Sequence, residues 1–469
     1  MTPPSPTSND ERAAVPEATR SGSPVVLGTA LLGFFLISLD ALIVTVALPD
    51  IGRGLGGGMS GLQWVVDGYA LVFAALMLSA GALSDRVGAR RAFGGGLVLF
   101  ALASAACGAA PGLGVLVAAR LVQGAAAAVM MPASLALVRQ GFPDQAQRAR
   151  AIAVWTVGGA IAVAAGPVLG GALTASVGWR WIFLVNLPAS LLALALFTRV
   201  PESPRLPARL DAVGQVTAVA AMGGLTYAVI EGGAEGFGRP PVVASLLAAA
   251  AAAVAFLVAQ ARGAHPMVPL PLFRSRVVAV SIVVGFMLNA AYYGGVFTFS
   301  LYFQQERGQS ALHTGLLFVP MTALVAVVNL ASARLAGRFG PRVPIAAGQL
   351  LGAAGLAALT TVGAHTRVET VAALMVPVGL GGALAVPALT ASLLDAVPAE
   401  RAGTASAVLN TARQVGGALA VAVFGALLAG ASTFLAGMRW SMLVAAAGLL
   451  LTAGATLTLP RGGTRHPRA

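Results

Sequence analysis

Fourteen apolar stretches, each close to membrane-spanning length, follow one another along the chain with short polar breaks between them. They cover approximately residues 25–49, 62–83, 92–110, 112–138, 151–174, 179–198, 212–230, 241–260, 277–303, 314–336, 343–363, 370–394, 403–431 and 440–459. A helix needs about 20 apolar residues to cross a bilayer. The pattern therefore predicts an all-α integral membrane protein with fourteen transmembrane helices. Residues 1–24 are polar and rich in Pro, Ser and Thr, with Asp10, Glu11 and Glu17. They lack the basic start of a cleaved signal peptide and read as a disordered cytoplasmic tail; residues 460–469 form a second tail.

The runs repeat. Arg338 and Gly340, in RLAGRFGPR (Arg334–Arg342), stand where Arg86 and Gly88 stand 252 residues earlier in GALSDRVGARR (Gly81–Arg91). Pro132-Ala133 recurs as Pro387-Ala388, and Phe142-Pro143 as Val397-Pro398, both at an offset of 255. Gly158-Gly159-Ala160 recurs as Gly416-Gly417-Ala418 at 258. A near-constant offset predicts two six-helix halves, residues 25–198 and 277–459. Between them, residues 199–276 hold two inserted transmembrane helices with flanking cytoplasmic loops. The copies differ at Asp85, whose place is taken by Gly337.

Charge gives orientation. With the N-terminus inside, 21 arginines fall in cytoplasmic tails and loops, six in outer loops, and Arg120 and Arg413 within spans. The positive-inside bias then places both termini in the cytoplasm of a plasma (inner) membrane.

Composition narrows the function. The chain is 58% hydrophobic and 10% charged, with mean hydropathy +0.86. Its net charge of +13 is dispersed over loops, a topology signal rather than a nucleic-acid surface. All 29 basic residues are arginine, so no phosphate-binding G-x-x-x-x-G-K-[ST] loop can form. Uphill transport would have to draw on an ion gradient or a partner chain. The single cysteine, Cys107, permits no intrachain disulfide. The four histidines, His265, His313, His365 and His466, fall at no metal spacing, and no cluster suggests an enzyme or a cofactor.

The stretch Gly81–Arg91 carries Gly81, Asp85, Arg86, Gly88, Arg90 and Arg91 in a turn of about eight residues between two spans. It resembles the loop between helices 2 and 3 of the major facilitator superfamily, G-x-L-(A/S)-D-R-x-G-x-(R/K)-(R/K). That resemblance implies the superfamily fold, here with two extra helices, and a conformational latch at this loop.

Asp40 lies inside the first span, in LDALIVTVALP (Leu39–Pro49). A carboxylate at that depth must be neutral, paired or facing water. It reads as a titrating group or as one permanently hydrogen-bonded between helices. Arg120 lies at nearly the same depth in the fourth span, so pairing with Asp40 is geometrically reasonable. Asp67 lies shallower in the second span, as a functional carboxyl or an interfacial group beside Trp64 and Tyr69, which read as interface aromatics. In GPVLGG, Gly166 and Gly170 share a helix face and allow close backbone approach. Pro167 bends the helix, and Gly171 follows. Phe286, Asn289, Tyr293 and Phe297 follow one helical face as a substrate-cavity wall or a packing stripe. Asn410, Arg413 and Gln414 are polar positions in the thirteenth span that could face the substrate cavity from its cytoplasmic half.

Three of these stretches resemble motifs of the fourteen-span drug:proton antiporter family. LDALIVTVALP is similar to L-D-x-T-x-V-N-V-A-L-P, with Leu42 and Thr45 replacing threonine and asparagine. AARLVQG resembles R-x-x-Q-G through Arg120, Gln123 and Gly124. GPVLGG resembles the exporter motif G-x-x-x-G-P-x-x-G-G, with Ala162 at its first glycine. The resemblance implies proton coupling through Asp40, tuned by Arg120, with Gln123 and Gly124 on the same motif; Asp67 is a further coupling candidate by its depth, and Gln123 a candidate for the substrate cavity. The expected function is proton-coupled export of amphipathic drugs or antibiotics by a monomer in the bilayer. An exporter of a lipid or cell-envelope precursor and, less favoured, an importer of the same superfamily remain open at this point.

Overall fold

In hydrocarbon every backbone N–H and C=O must be satisfied within the chain, and a helix does this locally. The computed structural model describes residues 23–205, 210–264, 266–398 and 401–459, and every regular element among them is helical. The tails expected at 1–24 and 460–469 lie outside them apart from Ser23 and Pro24, as do His265 and His466. In chain order the helices are α1 (Pro24–Leu55), α2 (Met59–Val87), α3 (Ala89–Ala109), α4 (Leu113–Gly141), α5 (Gln145–Ser176), α6 (Trp181–Phe197) and α7 (Ala212–Glu235). There follow α8 (Pro240–Arg262), α9 (Arg276–Glu306), α10 (Ala311–Phe339), α11 (Arg342–Leu359), α12 (Val368–Asp395), α13 (Ala402–Gly430) and α14 (Phe434–Thr456).

Thirteen of these are long and apolar enough to cross a membrane. The exception is α6, expected over 179–198 but broken between Leu184 and Asn186 and shorter than a span. Its start is lost to a turn: Gly178 has φ +97° and ends α5. Arg180 in that turn donates from Nη1 to the carbonyls of Gly108 and Ala110, both at 2.8 Å. A side-chain donor thereby satisfies carbonyls at the open end of α3.

The expected turn between the second and third spans is also shorter than its polarity suggested. Helix runs through Asp85 and Arg86 to Val87 and resumes at Ala89, leaving Gly88 alone at φ +92°. Arg and Asp at the membrane surface hold helical geometry as well as lipid-facing residues do, so charge did not mark the end of the helix. The φ of Gly88 did.

We call the face bearing Pro24 and Gly88 the near face and its opposite the far face. Helix α1 packs on α4, α5 and α6, α2 on α4, and α3 on α4 and α6. Helix α9 packs on α12, α13 and α14, and α11 on α12 and α14. Helices α7 and α8 pack on each other. Two principal seams join the early helices to the late ones, α2 against α13 and α5 against α10.

Near the far face two helix irregularities meet. Thr45–Ala47 is a tight 3₁₀ turn within α1, and Tyr302–Glu306 is a wide π turn at the end of α9. Such breaks release carbonyls from the regular ladder. Ser300 Oγ donates to the Thr45 carbonyl at 2.7 Å and Gln304 Nε2 to the Val46 carbonyl at 2.8 Å. Gln63 Nε2 adds bonds to the carbonyls of Ala422 (2.8 Å) and Val421 (3.3 Å). Among the described residues, these are the hydrogen bonds joining 23–205 to 276–459, and all lie toward the far face. The far seam is zipped.

Removing the donors should unzip it. Ser300→Ala with Gln304→Leu leaves two carbonyls of α1 unpaired, at about 1 kcal/mol each. Spin labels at Arg53 and Glu306, both at the far face, should then show a longer mean separation by pulsed electron resonance than in the parent. An unchanged distance distribution would show that these bonds do not hold the seam.

Candidate functional site

Helices α1, α2, α3, α4 and α6 converge on Asp40, which is fully buried, as is Arg120. Arg120 Nη1 donates to Asp40 Oδ2. Gln123 Nε2 and Asn186 Nδ2 both donate to Asp40 Oδ1, at 2.9 and 2.8 Å. The carboxylate thus accepts three hydrogen bonds, one of them charge-assisted. Arg120 is held in turn. Its Nε donates to the Val65 carbonyl at 3.1 Å, Nη1 reaches Gln123 Oε1 at 2.9 Å, and its guanidinium lies 4.3 Å over the ring of Tyr69.

The spacing in α4 explains the cluster. Arg120 and Gln123 are three residues apart and share a helix face. A Cβ on Gly124 would run into the Tyr69 carbonyl, so glycine lets α4 lie directly against α2 at the level of the pair. Asn186 Nδ2 also reaches Ser104 Oγ at 3.1 Å, and Ser104 donates to the Phe183 carbonyl at 2.8 Å. Gln123 is thus a hydrogen-bond donor to the carboxylate and fully buried.

Asp67 has a different environment. It too is fully buried, but neither carboxyl oxygen has a hydrogen-bond partner among the described residues. It lines a cavity of about 20 Å³ with Tyr69 and Phe73 on one side and Tyr293, Gln414 and Gly417 on the other. A space of that size holds about one water. Tyr69 is shared: it lines this cavity and lies beneath Arg120. Its expected place at the membrane interface is overturned, since it is 2% exposed and its hydroxyl donates to the Ile37 carbonyl. Trp64 instead donates to Glu231 Oε1 on α7 at 3.1 Å.

In the late helices Arg413 gathers two of the expected residues. Its Nε donates to Asn289 Oδ1 at 3.2 Å and Nη1 to Asn410 Oδ1 at 3.3 Å. Of the aromatic stripe on α9, Tyr293 lines the cavity, whereas Phe297 is fully buried in the main apolar cluster. Phe286 packs its backbone against Gly416. The stripe is divided between cavity wall and packing.

The glycine motif of α5 serves two neighbours. Cβ atoms on Gly166 and Gly170 would meet Leu42 and the Ile43 carbonyl of α1, within one turn of Asp40. A Cβ on Gly171 would meet the Ala311 carbonyl of α10, and Gly315 of α10 lies against the Pro167 carbonyl. Helix α5 is therefore wedged, backbone to backbone, between the helix of Asp40 and the other half of the chain.

At the near face, Arg90 Nη1 pairs with Glu202 Oε1 at 2.6 Å, and its backbone N–H donates to Ser203 Oγ at 3.1 Å. Arg91 lies 3.8 Å from the same carboxylate, and Ser203 donates to Gln140 at 2.6 Å. A Cβ on Gly88 would sit 3.1 Å from the Ser203 carbonyl. Asp85 and Arg86 are exposed and form no ion pair among the described residues, and Gly81 has open space around it. Arg90 and Arg91 thus bind the linker that follows α6.

A family model described as the Major Facilitator Superfamily matches residues 30–421. The chain is 41% identical over 403 residues to the multidrug resistance protein Stp of Mycobacterium tuberculosis, covering 85% of this chain and 74% of that protein. It is 35% identical to the methylenomycin A resistance protein of Streptomyces coelicolor, covering 95% and 94%. It is 33% identical to the tetracenomycin C resistance and export protein of Streptomyces glaucescens, covering 90% and 79%. A solved POT family transporter superposes with a TM-score of 0.70 at 14% identity, covering 91% of this chain and 94% of that one.

Sequence reasoning missed Asn186, Ser104 and Tyr69 as members of the buried cluster. The usable signal was a polar residue at the centre of an apolar run, which Asn186 and Ser104 both are. Replacing Asn186 by Leu removes one donor to an ionised carboxylate, which costs about 1.5–3 kcal/mol. We expect a lower melting temperature for the purified protein in detergent, and a larger fall for Asn186→Asp, which sets a second carboxylate against Asp40. Equal melting of Asn186→Asp and the parent would contradict the assigned bond.

Proposed function

Since the chain belongs to the major facilitator superfamily, and is a multi-pass membrane transporter rather than an enzyme, we propose that it exports amphipathic drugs or antibiotics in exchange for protons. The named resistance and export relatives support the drug-export part. We take the near face as cytoplasmic, on the arginine distribution. We also take α6 as crossing the membrane despite its break, giving fourteen spans, six in each half, with α7 and α8 inserted between the halves.

The observation that carries the coupling is the contrast between two buried carboxyls in adjacent helices. Asp40 is saturated by three donors and balanced by Arg120. Asp67 has none and faces the late helices across a cavity of about 20 Å³. An ionised carboxylate without partners inside a membrane protein costs several kcal/mol. In this closed arrangement the proton therefore rests on Asp67, while Asp40 stays charged against Arg120.

Alternating access then follows from opening one seam at a time. When the cavity widens toward the cytoplasm, water or a cationic headgroup stabilises ionised Asp67 and the proton leaves inward. When it widens outward, Asp67 is reprotonated and the amphipath is released. The Asp40–Arg120 pair holds α1 and α4 together throughout, and the glycines of α5 let the halves rock about close backbone contacts. The linker on Arg90 and Glu202 steadies the near ends of α3 and α4 as the near seam moves.

The two carboxyls give separable outcomes. Asp67→Asn should yield folded protein that equilibrates substrate downhill but does not concentrate it when a pH gradient is imposed on proteoliposomes. Asp40→Asn leaves Arg120 buried without its counter-charge, a loss of about 3–5 kcal/mol, so it should reduce both melting temperature and transport. Adding Arg120→Gln to Asp40→Asn should recover part of the melting temperature. Proton-driven accumulation by Asp67→Asn would overturn the assignment.

A further inference from the structure

An arginine within the membrane is costly unless it is paired or solvated. Arg120 meets that requirement with Asp40 and is fully buried. Arg413 does not. It follows Ala402, the near end of α13, by eleven residues, about 16 Å along the helix. Among the described residues no carboxylate pairs with it, and its acceptors are the amide oxygens of Asn289 and Asn410. At 3.2 and 3.3 Å these bonds are at the long end for N–H to oxygen. They orient the guanidinium and bring no charge to it. The bonds use Nε and Nη1 and leave Nη2 without a partner among the described residues, on a side chain that is half-buried rather than sealed.

The fold itself does not demand a cation at this position. Gly158-Gly159 of α5 recurs as Gly416-Gly417 of α13, and by the same offset Arg413 stands where Trp155 stands in the early half. Trp155 is 7% exposed and stacks on Phe34 with ring centres 4.0 Å apart, so there the position serves packing. In the late half a guanidinium takes the place of that aromatic contact. Its stem crosses α9 at Gly285, where a Cβ would lie 3.1 Å from Arg413 Cγ. Beyond Gly285 the same face of α9 carries Asn289 and then Tyr293, at steps of four residues. Tyr293 lines the cavity of Asp67, so the cation lies along the wall of that cavity, on its near side.

We propose that Arg413 binds an acidic group of the transported molecule, a carboxylate or an ionised enol, so that the substrates are amphipathic organic anions. The proposal rests on the export reading above and names its substrate class. A guanidinium has five N–H groups in a planar fork that matches a carboxylate through two parallel bonds. Two are taken by the asparagines, which leaves three, both of Nη2 among them. The apolar body of such a molecule then lies against Tyr293, beside Asp67. An anion on Arg413 balances the cation of the late half, and ionised Asp67 is stabilised by water rather than by a cationic group of the substrate. A neutral or cationic amphipath leaves Arg413 unbalanced when the cavity closes, so the site discriminates against it.

The test compares dansyl-phenylalanine, an amphipathic acid, with its methyl ester, which keeps the aromatic body and carries no charge. Binding to the purified protein in nonionic detergent is read by energy transfer from tryptophan to the dansyl group. In the parent the acid should bind roughly tenfold or more tighter than the ester, as expected of hydrogen bonds to a charged group. Arg413→Gln should bring the two affinities within about threefold of one another, and Arg413→Lys, which keeps the charge without the planar fork, should fall between. Equal affinities in the parent, or a preference for the acid that survives Arg413→Gln, overturns the assignment. The comparison in the parent needs no variant, so it holds even where Arg413→Gln folds poorly. Export is scored separately, as accumulation in proteoliposomes under an imposed pH gradient. A parent that accumulates the ester or a cationic dye while binding acid and ester equally overturns the substrate class and leaves export standing. A parent that prefers the acid in binding but accumulates neither compound removes the export reading, and the proposal with it.

Discussion

A guanidinium and a carboxylate buried together in hydrocarbon must satisfy one another, and the first six helices are arranged around that requirement. Arg120 needs a counter-charge, and its other donors need acceptors. Asp40 supplies the charge, the Val65 carbonyl and Gln123 Oε1 take further hydrogens, and Tyr69 presents its ring to the guanidinium. The partners come from α1, from α2 and from a fixed step along α4. The cluster therefore sets which helices neighbour which, and at what depth. Gly124 and the glycines of α5 follow from it, because they let α4 lie directly against α2 and α5 against α1 at the level of the pair.

The same logic, with weaker partners, governs the contact between halves. Where α1 and α9 meet, the structure uses released backbone carbonyls and neutral donors rather than ions. Such bonds contribute about 1 kcal/mol each and can be exchanged for bonds to water when a seam opens. An ion pair of the Asp40–Arg120 kind could not be broken so cheaply. Strong interactions lie within the first half and weak ones across the seam.

Much of this was legible in the sequence. The apolar runs located every helix, because a membrane enforces run length more strictly than a soluble core does. The shared depth of Asp40 and Arg120 indicated their pairing, since two lone charges at one level in a membrane have few alternatives. Where the reading departed from the structure, the reason was local geometry. The turn at Gly88 looked eight residues long because charge was taken for loop, and α6 looked full-length because Trp179 and Arg180 are compatible with a helix. Tyr69 looked interfacial because hydropathy carries no information on which face of α2 it occupies. Asp67's place at the seam could not be read at all, since it depends on how α2 meets α13, a contact between residues more than three hundred positions apart.

In the proposed mechanism the exchangeable proton sits on Asp67, while Asp40 remains paired with Arg120. Infrared difference spectroscopy of the purified transporter on addition of a transported dye tests it directly, because the carbonyl stretch of a protonated carboxylic acid is separated from carboxylate bands. One such band should be lost in the parent and in an otherwise folded Asp40→Asn, Arg120→Gln protein, and none in Asp67→Asn. A band that persists in Asp67→Asn and vanishes when Asp40 is replaced would contradict it.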